Sequence, residues 1–252
     1  MKRNAKRSSA VAWLALALSA CVMAVSGYHL RETWLADRES REAYRKLAGQ
    51  VCPGGPSEAP GSALSIPDMP IDFGALQAVN PDAAAWLYCP DTVIDYPVMK
   101  ARDYDHYLRR LPDGTYNANG TLFIDYNCAP DFTDQLTVIY GHHMRSGQMF
   151  GSLKEYKGQA YFEKHPYMYL YTENNNYRID LLYGCVIGAN EWRERAFMYE
   201  ANLESLLAYA ARHTTFASSV RYARGDRVVA MSTCSYEFDG ARYVVLGVLR
   251  AE

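Results

Sequence analysis

Val228-Val229-Ala230-Met231-Ser232-Thr233-Cys234 and, after a short gap, Arg242-Tyr243-Val244-Val245-Leu246-Gly247-Val248-Leu249 are the runs on which the reading of this chain turns. Both are apolar and rich in β-branched residues, which suits strands of a sheet. Asp239-Gly240 between them supplies turn residues. If the strands pair antiparallel across that turn, the thiol that ends the first lies near the guanidinium that opens the second. A guanidinium so placed favours a neighbouring thiolate, the nucleophilic form of cysteine. It can also donate to an oxyanion that develops on an attacked carbonyl. Taken alone, the pair has a plainer reading as a buried cysteine at a strand end and a surface arginine.

Working outward, the same strand signature recurs. Leu136 to Tyr140 is an apolar, β-branched run, and Leu122 to Tyr126 follows a turn at Ala118-Asn119-Gly120. Met168 to Thr172 and Tyr177 to Ile187 flank Glu173-Asn174-Asn175-Asn176, which predicts a hairpin because asparagine tolerates positive φ. Thr92 to Met99 is a further strand, with Pro97 pushing it toward an edge or a bend. Phe73 to Leu76 and Pro81 to Leu87 suggest short helical turns, and Leu203 to His213 predicts the clearest internal helix. The 21 tyrosines lean the same way, since tyrosine suits half-buried strands. Many short strands with few helices predict a mainly β fold with short helices, closed into a barrel.

The chain has 252 residues, enough for one packed domain and an appendage. Its formal net charge of -2 offers no basic excess for nucleic acid, and that class is set aside. At the N-terminus Lys2, Arg3, Lys6 and Arg7 precede an apolar run from Ala10 to Gly27. Basic residues before a run of that length predict an export signal or signal-anchor with the basic end in the cytoplasm and everything after Tyr28 outside. Leu18-Ser19-Ala20-Cys21 also matches a lipoprotein processing site, but the apolar run continues through Val25, as a spanning helix requires. Either reading tethers the protein to the outer face of a membrane.

Residues 1–28 are thus read as a cytoplasmic basic end and transmembrane anchor. Residues 29–70 are read as an N-terminal helix and linker, and 71–252 as the catalytic domain. The helix rests on Leu30, Trp34, Leu35, Tyr44 and Leu47 at roughly helical spacing. The linker rests on Pro53, Pro56, Pro60, Pro67 and Pro70 among glycines and serines. The six cysteines (Cys21, Cys52, Cys89, Cys128, Cys185 and Cys234) form no C-x-x-C pair, so neither a zinc ribbon nor a disulfide scaffold is expected.

The second chemical element is Tyr140-Gly141-His142-His143-Met144. Glycine after an apolar strand permits a turn or a close backbone approach. Adjacent histidines on an extended chain point to opposite faces, so one faces a cleft and the other turns away as a structural residue. Adjacent residues rarely converge on one ion, and no acidic or cysteine cluster stands nearby, so no metal or cofactor is expected.

Leu136-Thr137-Val138-Ile139-Tyr140-Gly141-His142-His143-Met144, continued by Gly147-Gln148-Met149-Phe150-Gly151-Ser152-Leu153-Lys154-Glu155-Tyr156, closely resembles the histidine segment of class B sortases. Ser232-Thr233-Cys234 with Arg242 resembles their Thr-x-Thr-Cys and arginine signature, with Ser232 in place of the first threonine. Ile94-Asp95-Tyr96-Pro97-Val98 and Leu122-Phe123-Ile124-Asp125 resemble family strands. The Leu203–His213 helix, inserted before the cysteine strand, is similar to the helical loop that marks class B. The resemblance spans roughly residues 71–250. It departs at Ser235, where acidic residues are often seen.

The resemblance implies a closed sortase-type β-barrel preceded by N-terminal helices and a membrane anchor. It implies a cysteine transpeptidase with Cys234 as nucleophile, His142 as acid/base and Arg242 as oxyanion stabiliser. Its partners would be the sorting-signal peptide of an exported protein, of the Asn-Pro-x-Thr type, and an amine from peptidoglycan or a pilin. Two rivals have other signatures. A papain-like cell-wall peptidase usually carries cysteine first, at a helix N-terminus, with histidine later, and a membrane-tethered binding module would keep its function with Cys234 blocked.

Overall fold

The computed structural model describes residues 2–55, 66–198 and 202–251. The middle of the proline-rich segment, 56–65, lies outside them. In chain order the strands are β1 (Ala83–Tyr88), β2 (Asp95–Lys100), β3 (Leu122–Ile124), β4 (Leu136–Tyr140), β5 (Tyr167–Thr172), β6 (Asn176–Gly188), β7 (Val228–Cys234) and β8 (Ala241–Ala251). They close into a barrel in the order β1-β2-β3-β4-β7-β8-β6-β5. Closure gives every strand a neighbour on both sides along at least part of its length, so short strands suffice. Every residue of β7 but the last is buried, which is why Val228 to Met231 reads as a continuous apolar run rather than an alternation.

Helices lie outside the barrel. α1 spans Lys2–Val51 without a break, and α2 spans Phe73–Val79, capped by Asp72, whose carboxylate accepts from the Ala75 amide. A 3-10 turn at Tyr107–Arg109 sits in the long β2–β3 connection, and a second covers Phe150–Lys157. α3 spans Gln159–Lys164. The β6–β7 connection carries α4 (Ala189–Arg193), a π-helical turn (Glu194–Met198) and α5 (Asn202–His213). Asp37, Ser40, Tyr44, Leu47 and Val51 are buried, at the three- and four-residue spacing that marks one helix face. Leu30 and Trp34, expected to share that face, are exposed, so docking of α1 starts near Leu35.

Three local expectations are corrected. Pro81 to Leu87 is not a helical turn but the start of β1. Its alanines favour helix, yet Ala85, Trp86 and Leu87 pair with β2 on one side and β5 on the other, and all three are buried. The β5–β6 hairpin uses no positive φ: among the described residues only Asp91, Phe132 and Met149 show it outside glycine. Thr172 closes the turn instead, its hydroxyl donating to the Asn175 carbonyl and accepting from the Asn175 amide. Pro97 lies inside the sheet, opposite Trp86, but β3 joins β2 only from Val98 onward, so the missing N–H falls where one side has no partner.

Candidate active site

The parallel register of β4 against β7 sets Tyr140 beside Ser232, and the antiparallel register of β7 against β8 sets Cys234 opposite Arg242. Gly141-His142, Thr233-Cys234 and Arg242 therefore emerge at one end of three neighbouring strands. Gly141 is what the crossing requires. A Cβ there would stand 2.4 Å from Leu122 and 2.7 Å from the Phe150 ring. Its amide donates to the Ser232 carbonyl at 3.2 Å, and its own carbonyl accepts from the Thr233 hydroxyl at 2.7 Å. The turn into β8 is made at Gly240, at φ +73°.

His142, Cys234 and Arg242 line one cleft of about 340 Å³, and each is half-buried. Leu108, Tyr104, Phe123 and Tyr140 form part of its wall, and Asn190, Trp192 and Arg193 of α4 line it as well. A second hollow of about 350 Å³, bordered by Gln77, Lys100 and Asn174, contains none of the three. We place the site in the first because it joins a thiol, an imidazole and a guanidinium.

His142 Nε2 lies 2.6 Å from the Leu108 carbonyl. A carbonyl only accepts, so Nε2 carries the hydrogen and Nδ1 is the ring atom left for proton exchange. Burial lowers the pKa of His142 from its ordinary value. The positive charge of Arg109 acts in the same direction, and the bond to Leu108 opposes both without overcoming them. The folded environment therefore favours the neutral ring. Arg242 donates through Nη1 to the Ala241 carbonyl at 3.1 Å, and among the described residues no carboxylate pairs with it. Its remaining N–H groups are available to a ligand in the cleft.

The expected division between the two histidines holds only in part. His142 lines the cleft and His143 does not, but His143 is not turned away from the site. Its Nδ1 lies 2.8 Å from the carbonyl of Cys234, and its ring meets Tyr236 edge-on at 5.1 Å. Beyond Cys234, the Ser235 hydroxyl donates to Glu237 at 2.5 Å, and Lys157 holds both, at 3.2 Å from the Ser235 oxygen and in a close ion pair with Glu237. Sequence reasoning missed Leu108, Lys157 and Glu237. Leu108 acts through a backbone carbonyl that has no side-chain signature. The other two meet only after folding. Among the described residues no three His, Cys, Asp or Glu side chains gather as a metal-ligand set.

No family model matches the chain. Individual proteins do. It is 30% identical over 177 residues to the sortase B of Listeria monocytogenes, covering 69% of this chain and 72% of that protein. It is 24% identical over 229 residues to the sortase B of Staphylococcus aureus, covering 89% of this chain and 91% of that one. The solved Staphylococcus aureus sortase B–substrate complex shares the fold with a TM-score of 0.71 at 21% identity, over 86% of this chain and 99% of that one.

Proposed function

Since the chain belongs to the class B sortase family, we propose that it is a cysteine transpeptidase in which Cys234, His142 and Arg242 do the chemistry. The observation that carries this is the convergence on one cleft of a thiol, an imidazole and a guanidinium that has no carboxylate partner among the described residues. The Cys234 sulfur attacks the carbonyl carbon at the cleavage point of a sorting-signal peptide, and its proton passes to Nδ1 of His142. Arg242 donates to the oxyanion of the tetrahedral intermediate. As the C–N bond breaks, His142 returns that proton to the departing amine, leaving a thioester on Cys234. An incoming amine attacks the thioester and gives a proton to His142; as the C–S bond breaks the new amide forms, and the departing Cys234 thiolate takes that proton back from His142.

The peptide is read as the Asn-Pro-x-Thr type and the amine as one from peptidoglycan or a pilin. The apolar Ala10–Gly27 run is read as an anchor that keeps the catalytic domain outside the membrane, where both substrates would be found. In support, α1 contains a segment long and apolar enough to cross a membrane, and no part of that segment is buried in the protein.

The test is Cys234→Ala in a purified chain given a fluorogenic Asn-Pro-x-Thr peptide with and without an added amine. Cleavage and amide formation are both expected to vanish, since no other group supplies the covalent intermediate. Persisting transfer would refute the assignment.

A further inference from the structure

β4 ends at Tyr140, and the last backbone bond from this segment to β7 is the Gly141 amide on the Ser232 carbonyl. The next acceptor along that edge of β7, two residues on, is the carbonyl of Cys234. The chain has by then turned toward His142, and the ring of His143 reaches this carbonyl, at 2.8 Å. Because a carbonyl only accepts, His143 carries its hydrogen on Nδ1. A β-bridge with Met149 holds the His143 backbone, and Tyr236 packs edge-on against its ring.

We propose that His143 is a positioning residue for the nucleophile. By holding the peptide plane that follows Cys234, it holds the Cys234 backbone and hence the direction in which the thiol leaves it. The inference rests on the reading of Cys234 as nucleophile. It gives the second histidine a task that acts through the Cys234 backbone rather than on the substrate. Small errors in the approach of a nucleophile are costly: a misplacement of about 1 Å can lower turnover about 100-fold. A residue that only positions the thiol alters turnover and leaves peptide binding largely unchanged.

Two substitutions separate the hydrogen bond from the ring packing. His143→Asn keeps a donor near the place of Nδ1 and loses the ring. His143→Phe keeps a ring against Tyr236 and loses the donor. With a fluorogenic Asn-Pro-x-Thr peptide, His143→Ala and His143→Phe are expected to lower kcat about tenfold with KM within about twofold. His143→Asn is expected to restore most of the loss. Circular dichroism and the melting temperature of each variant report folding, and the Asn and Phe pair decides the matter if the alanine variant does not fold. Wild-type kcat in His143→Phe, or no recovery in His143→Asn, overturns the positioning role. Turnover surviving in Cys234→Ala overturns the transpeptidase reading and this role together, whereas a dead Cys234→Ala beside a fully active His143→Phe overturns only the latter.

Discussion

Arg242 stands opposite Cys234 across the last ladder position of β7 and β8, with one N–H on the Ala241 carbonyl and no acidic partner among the described residues. Charge and geometry can be separated at this residue. Guanidinium offers a planar fork of donors, whereas lysine offers a flexible point charge. An oxyanion needs donors about 2.7–3.1 Å away, so geometry matters to it in a way that a general positive field does not. We expect Arg242→Lys to lower kcat about tenfold or more with little change in KM, because the lost contact exists mainly in the transition state. Iodoacetamide labelling of Cys234, followed by mass spectrometry to resolve it from exposed Cys21, is expected to keep a comparable rate. Labelling that falls in step with turnover would point to activation of the thiol instead.

The segment joining β7 to β8 is the element on which both residues depend. Ser235 is buried, whereas Tyr236, Glu237 and Phe238 are exposed, and Glu237 reaches back to Lys157. Burial would raise the pKa of Glu237, but hydrogen bonds from Lys157 and Ser235 outweigh it and hold the carboxyl at about 2. A carboxyl depressed in the folded state contributes stability above its unfolded pKa, and that stability is lost as pH falls toward the folded value. For Glu237 the window runs from about 4.5 down to about 2. The pair is partly solvated, so its worth is about 0.2–1 kcal/mol rather than the full shift. Glu237→Gln is therefore expected to melt about 0.5–4 °C below the wild type at pH 7, with the gap closing between pH 4.5 and pH 2. A gap that stays constant over that range would place the effect in packing rather than charge.

For the whole molecule, the question is how the barrel is joined to its tether. α1 is continuous, and its first buried residue is Asp37, so about nine residues, or roughly 14 Å of helix, separate Tyr28 from the docked face. The docked face is polar as well as apolar. Asp37 accepts from Asn119 at 2.9 Å, and Tyr44 donates to the Gly120 carbonyl at 2.7 Å. Asn119 and Gly120 belong to the β2–β3 connection that also presents Leu108 to His142. Burying Leu47 and Val51 is worth about 1.5–3 kcal/mol each, and 1 kcal/mol shifts the melting temperature of a domain this size by about 2–4 °C. Removing residues 1–27 is expected to free the protein from membranes while moving its melting temperature by less than about 2 °C. Removing residues 1–51 is expected to lower it by about 10 °C or more, measured by differential scanning calorimetry. Equal melting temperatures for the two truncations would mean that α1 is a tether alone.

Local contacts were the ones the sequence could determine. Cys234 opposite Arg242 follows from a hairpin whose partners are a few residues apart, and β4, α5 and the turn at Gly240 follow from apolar runs and turn residues that act within their own segments. The pairing of β4 with β7 joins residues about 90 positions apart, and no periodicity within either strand specifies it. That pairing brings His142 to Cys234. Ala83-Ala84-Ala85 has a helical preference of a few tenths of a kcal/mol per residue, and burial between β2 and β5 outweighed it. The partner of His142 is a carbonyl that any residue at position 108 would carry, and the partner of His143 is the carbonyl of Cys234 itself. Backbone groups are the same at every position, so only the closed barrel, by bringing distant segments to one end, decides which of them a histidine can reach.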